Sequence, residues 1–150
     1  MQAAVLSYGG YNLYSPALKG IFETRKNPFW TLALSKPRGI FGNNFNALEN
    51  PEMYKAISPI YNIPNIDERK LPPQFITSAS EDRVTPVHAI EEYVKALKDA
   101  GQEVTYWEYK DQRHAYLDSG KTFLSGNDFK RDAIPALKKI MNFLNSKLHS

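Results

Sequence analysis

The chain has 150 residues, enough for one domain with a single hydrophobic core. Its net charge of +3 comes from 19 basic and 16 acidic residues that are interspersed. The sequence therefore shows no concentrated basic region of the kind that binds nucleic acid, and no nucleic-acid partner is expected. The absence of cysteine excludes disulfides, thiolate catalysis and Cys-based metal sites. No apolar run approaches the ~20 residues of a membrane span. The N-terminus lacks the basic region of a signal peptide, so the chain as written is expected to be cytoplasmic, although no compartment is fixed.

The first predicted element is a short apolar strand over residues 3–8, which Gly9 and Gly10 end. Residues 11–70 then show no strong strand signal. They contain a predicted helix that begins at Ser15 and a second short helix at residues 51–57. A stretch of this length between two strands indicates an inserted cap or lid rather than a plain connection.

The third predicted helix follows a strand predicted at residues 74–79. Thr85 is its expected N-cap and Pro86 its first helical residue. Gly101 is expected to end it as a C-cap. One apolar stripe recurs at helical spacing and is expected to be buried: Ile90, Tyr93, Val94 and Leu97.

The last two predicted elements are a strand at residues 103–109, rich in β-branched and aromatic residues, and a helix at about 132–148. Asp132 is the expected cap of this helix, and Pro135 is tolerated because it falls in the first turn. Its expected buried stripe is Ala133, Leu137, Ile140, Met141, Leu144 and Leu148. Strands separated by helices predict an α/β fold with parallel strands flanked by helices.

An acid and a histidine follow two neighbouring strands of this predicted sheet. Right-handed crossovers place the Asp82 and His114 loops at the same carboxyl edge. Taken singly, an aspartate at such a turn caps backbone donors and a loop histidine is solvated. Taken together, they suit a pair in which a carboxylate orients an imidazole and stabilises its protonated form.

The chain resembles the C-terminal half of an α/β-hydrolase of the esterase/lipase group. The likeness rests on Leu71-Pro72-Pro73 before the strand, the Asp82 loop, the Ala100-Gly101 helix end and the final His114 loop. The resemblance implies that Asp82 is the acid of a catalytic triad and His114 its general base, in the family order Ser, Asp, His.

The same resemblance implies one partial α/β-hydrolase domain over residues 1–150. Residues 11–70 would be the cap-like insertion and residues 71–150 the half that carries the acid and the base. The Gly-x-Ser-x-Gly elbow of the family is missing. Residues 5–9 keep only its second glycine, so Ser7 is not expected to be the nucleophile. We expect the nucleophile to lie upstream of the chain, and the chain alone to be inactive.

Three functions are compatible with these patterns. The leading hypothesis is a serine esterase or lipase that acts on a small-molecule ester without a cofactor. The second is a prolyl-oligopeptidase-like peptidase, because residues 82–86 also fit its Asp-x-x-Val-x-Pro loop; the long 11–70 segment favours the capped esterase. The third is a non-catalytic module that self-associates through open strand edges. His88, His114 and His149 show no metal-site spacing, so no metal is expected.

Overall fold

Three parallel strands form the sheet of this computed structural model, which describes residues 2–14, 50–118 and 128–148. The strands are β1 (Ala4–Ser7), β2 (Gln74–Ala79) and β3 (Val104–Tyr109), in the order β1-β2-β3. Thr77 of β2 pairs with the last residue of β1 and with Trp107 of β3, so the carboxyl ends of the strands lie side by side. The bounds predicted for the three strands agree with the observed ones to within one residue at each end.

The central strand is buried along its whole length, because it has a neighbour on each side and a helix on each face. Adjacent residues of a strand point to opposite faces. Phe75 therefore packs in one cluster with Ile140 and Phe143. Ile76 packs in another cluster with Tyr11 and Ile90.

The helices in the described part of the chain are α1 (Pro51–Ile57), α2 (Val87–Asp99) and α3 (Ile134–Leu148). A single 3₁₀ turn (Pro59–Asn62) follows α1, and a π-helical turn (Phe129–Ala133) precedes α3. The predicted short helix at residues 51–57 is confirmed, as is the buried stripe of α2. Residues 15–49, which hold the helix expected from Ser15 and most of the expected cap, lie outside the described residues.

The end of α2 follows its local sequence. Gly101 has a φ of +74°, and its N–H donates to the carbonyl of Lys98 at 2.9 Å while the Gln102 N–H donates to that of Leu97 at 2.9 Å. These two bonds are a Schellman motif. A Cβ at Gly101 would lie 2.8 Å from Cγ2 of Ile66, so both the backbone and the neighbouring side chain require glycine. The predicted helix end is confirmed.

The start of α2 differs from the prediction. The first helical residue is Val87, Pro86 occupies the cap position, and no side chain caps the helix. Thr85 therefore lies one residue before the cap position, and its hydroxyl donates to the carboxylate of Asp82.

The cap of the last helix also differs from the prediction. Asp128 is the cap of the π-helical turn, since its side chain accepts the N–H of Arg131 at 3.0 Å. Asp132 is buried, and its carboxylate accepts the N–H of Asp128 at 2.7 Å. Each aspartate side chain therefore accepts a backbone N–H from the other end of the turn. The arrangement resembles a capping box, except that the second acidic residue lies four positions after the cap instead of three.

The buried face of α3 is only partly the predicted one. Ala133 and Ile140 are buried as expected, whereas Met141 is 59% exposed. Leu137 and Leu148 are exposed as well. The helix instead turns Ala136 and Phe143 inward. The Phe143 ring stacks on that of Phe75 at 5.2 Å, and both possible faces of this helix are apolar, so tertiary packing selects between them.

Candidate active site

The loops after β2 and β3 lie at one edge of the sheet and are hydrogen-bonded to each other. The Glu81 N–H donates to the carbonyl of Gln112 at 2.8 Å, and the Ser80 N–H donates to that of Tyr109 at 3.0 Å. The hydroxyl oxygen of Ser80 accepts the N–H of Asp111 at 2.8 Å. These contacts fix the distance between the loop that carries Asp82 and the loop that carries the histidine.

The two loops bring Asp82 and His114 into direct contact. Nδ1 of His114 lies 2.8 Å from Oδ2 of Asp82. The Asp82 side chain is fully buried, whereas the His114 side chain is 33% exposed. The carboxylate is therefore shielded from water, whereas part of the imidazole that contacts it is accessible from the surface of the molecule.

The Asp82 carboxylate receives four hydrogen bonds. Oδ1 accepts the backbone N–H groups of Val84 at 2.7 Å and Thr85 at 2.8 Å. Oδ2 accepts the Thr85 hydroxyl at 2.8 Å in addition to His114. Burial opposes ionisation of Asp82, but the hydrogen bonds from His114 and Thr85 outweigh it and hold the pKa of Asp82 below its usual value.

An ionised carboxylate can only accept hydrogen bonds, so Nδ1 of His114 is the donor in this pair. In the neutral imidazole the accepting lone pair is then on Nε2. A ring oriented in this way is suited to take a proton through Nε2 and to return it, while the buried carboxylate stabilises the protonated form.

Aromatic rings support the histidine from the β1 side. The Tyr8 ring meets the His114 ring edge-on at 5.2 Å and the Tyr116 ring at 5.2 Å. Tyr116 is fully buried and hydrogen-bonded to the hydroxyl of Thr77. Because no part of Tyr116 is exposed, it supports the site from the core rather than lining a substrate pocket.

Backbone strain is concentrated at the same edge. Among the described residues, only three other than glycine have a positive φ: Tyr8 at 43°, Asp111 at 58° and Ala115 at 62°. Such conformations cost of order 1–3 kcal/mol each and cluster at functional sites. All three residues flank His114 in sequence or in space.

The remaining sequence candidates lie elsewhere. The Ser7 hydroxyl is buried, which puts it out of reach of a substrate carbonyl. His88 is exposed on α2, and His149 lies outside the described residues. No group of three or more metal-binding side chains occurs in residues 2–14, 50–118 and 128–148.

One contributor to the site was missed at the level of the sequence. Thr85 was expected to cap α2, yet its hydroxyl contacts both Asp82 and His114. The signal was present, because a threonine three residues after an aspartate can hydrogen-bond back to it. Thr85 was interpreted as a helix cap because Pro86, the next residue, suits the first position of a helix.

Solved structures of known proteins share this fold. An acylaminoacyl peptidase from Pyrococcus horikoshii is 23% identical over 100% of this chain, with a TM-score of 0.66. A puromycin-hydrolyzing peptidase from Mycobacterium tuberculosis is 18% identical over 97%, with a TM-score of 0.61. A thermophilic esterase from Thermogutta terrifontis is 19% identical over 97%, with a TM-score of 0.55.

The chain covers only part of these proteins: 20% and 19% of the two peptidases and 42% of the esterase. No curated protein matches the chain in sequence. No helix in the described part of the chain is long and apolar enough to cross a membrane. The parallel sheet and the structural likeness confirm the α/β-hydrolase fold. The model of the prolyl oligopeptidase family matches residues 29–149, and the chain therefore belongs to this family of serine hydrolases.

Proposed function

We propose that Asp82 and His114 are the acid and the general base of a serine hydrolase that cleaves carboxylic esters. The 2.8 Å contact between Nδ1 of His114 and the buried carboxylate of Asp82 carries this proposal. A serine hydroxyl attacks the acyl carbon and passes its proton to Nε2 of His114, which then protonates the leaving alkoxide. A water molecule then attacks the acyl carbon and gives its proton to Nε2 of His114. His114 passes this proton to the serine oxygen as the bond between that oxygen and the acyl carbon breaks, and the acid is released.

The nucleophile of this reaction is provided by a segment outside these 150 residues. No serine of the chain lies in a Gly-x-Ser-x-Gly sequence, and the Ser7 hydroxyl is buried. The chain alone is accordingly inactive in this proposal. A fluorophosphonate probe tests this point directly, because it labels an activated serine. Labelling of the isolated chain would overturn it.

Peptide substrates are a second candidate, which the family match supports. The chemistry is the same, with an amine as the leaving group. The length of residues 11–70 no longer favours an esterase, because the acylaminoacyl peptidase structure covers 100% of the chain. Rates on p-nitrophenyl esters and on p-nitroanilide peptides, measured with the same preparation, separate the two candidates.

The decisive experiment expresses the chain together with the coding sequence that precedes it and measures hydrolysis of p-nitrophenyl acetate. We expect His114→Ala to lower kcat by at least ~10³-fold and Asp82→Asn by about 10²–10⁴-fold. His88→Ala, at an exposed histidine of α2, is the matched control and should leave the rate unchanged. An unaltered rate in His114→Ala would show that the assignment is wrong.

Self-association is a further part of the proposal. Among the described strands β1 pairs only with β2, and the N–H groups of Ala4 and Tyr8 both donate to carbonyls on the β2 side. An unpaired strand edge is a site for pairing with another chain. We expect the isolated chain to form dimers or larger species in light scattering, and a monodisperse monomer would count against this.

A further inference from the structure

The hydroxyl of Thr85 occupies a central position beside the acid and the base. Thr85 is 8% exposed. Its Oγ1 lies 2.8 Å from Oδ2 of Asp82, 3.2 Å from the carbonyl oxygen of Tyr8 and 3.5 Å from Nδ1 of His114. These three neighbours follow β2, β1 and β3 respectively, so this one hydroxyl touches the loops after all three strands.

A hydroxyl has a single proton to donate, and the shorter of its two contacts with an acceptor is the one to Asp82. The Asp82 oxygen that receives this proton is also the one that receives Nδ1–H of His114. Two donors on one carboxylate oxygen fix the rotation of the carboxylate, and the carboxylate in turn fixes the plane of the imidazole.

We propose that Thr85 is a positioning residue that fixes the Asp82 carboxylate and, through this carboxylate, the His114 ring. Its importance for catalysis rests on the function proposed above, whereas its effect on the geometry does not. The hydroxyl is the group that matters, so serine should replace threonine and valine, which has the same shape, should not. Two titratable groups among the described residues that contact the His114 ring are Asp82 and Tyr8.

The test observes Nδ1–H of His114 by ¹H–¹⁵N NMR in the full chain, with the signal assigned by its loss in His114→Gln. In the wild type we expect a downfield proton that exchanges slowly with water. Thr85→Val should accelerate this exchange on the order of tenfold, the factor that corresponds to one net hydrogen bond. Thr85→Ser should restore the slow exchange. Thr105→Val is the matched control, at an exposed threonine of β3.

The outcomes separate this inference from the proposed function. If Asp82→Asn leaves the Nδ1–H signal in place, the acid–base pair itself is wrong. If Asp82→Asn abolishes the signal while Thr85→Val leaves both exchange and ¹⁵N shifts as in the wild type, only the role of Thr85 is wrong. If Thr85→Val lowers the melting temperature but leaves the Nδ1–H signal and its exchange unchanged, the positioning role of Thr85 is also wrong. Should Thr85→Val fail to fold, Thr85→Ala decides by the same criteria.

Discussion

The side chain of Gln102 offers the sharpest test of how β2 is held in place. It is 4% exposed. Its Oε1 accepts the N–H of Leu71 at 2.9 Å, and its Nε2 donates to the carbonyls of Pro64 at 2.8 Å and Arg69 at 2.9 Å. One amide group thus anchors the segment that leads into β2, the strand that precedes the Asp82 loop.

Replacement of Gln102 by alanine removes three hydrogen bonds. At about 1 kcal/mol net for each bond, the loss of unfolding free energy is about 3 kcal/mol. For a chain of this size we expect the melting temperature to fall by about 6–12 °C. Urea unfolding followed by circular dichroism measures the loss, and Gln2→Ala, at an exposed glutamine, is the control that should change nothing.

Gln102→Glu distinguishes hydrogen bonding from packing, because glutamate has nearly the same volume. Its carboxylate can still accept the Leu71 N–H, but it cannot donate to the two carbonyls. We expect it to be at least as destabilising as Gln102→Ala at neutral pH, and less so at acid pH, where a protonated carboxyl can donate one bond. A loss below about 1 kcal/mol in Gln102→Ala, or wild-type stability in Gln102→Glu, would refute the reasoning.

Three further predictions concern stability. Gly101→Ala should cost about 1–3 kcal/mol in thermal unfolding, because of its positive φ and the clash with Ile66; a neutral effect would contradict this. The pKa of Asp82 is lowered on folding, so its stabilisation is present above the unfolded pKa of about 3.9 and disappears as the pH falls through the folded value. The difference in unfolding free energy between wild type and Asp82→Asn should therefore shrink on acidification, and a constant difference would exclude this linkage. Phe143→Ala should cost about 3–5 kcal/mol and Met141→Gln less than about 0.5 kcal/mol; equal losses would mean that the buried face of α3 is misassigned.

The features that could be predicted from the sequence are those determined locally. The end of α2 is one of them, because a left-handed residue after a helix requires glycine, and Gly101 is in that place. The central strand is another, because residues 74–79 were predicted as a strand and β2 has the same bounds. The closeness of Asp82 to His114 followed from topology, because parallel strands place their following loops at one edge.

The features that could not be predicted depend on distant parts of the chain. Thr85 has the local signature of a helix cap, but the helix begins one residue later than expected and the Thr85 hydroxyl donates to Asp82. Both facts depend on how the loop folds. The last helix has two apolar faces. The stacking of Phe143 on Phe75 selects one of them, and no periodicity in the sequence of a single helix can reveal a partner more than sixty positions away.

The two loops are joined by main-chain hydrogen bonds, Glu81 to Gln112 and Ser80 to Tyr109. These bonds have a consequence for sequence divergence. A bond between backbone groups survives almost any change of side chain. Relatives of this protein can therefore vary the side chains of these loops, and with them the local shape and charge, without moving Asp82 away from His114. We expect the side chains of these loops to diverge rapidly while the spacing between Asp82 and His114 stays constant.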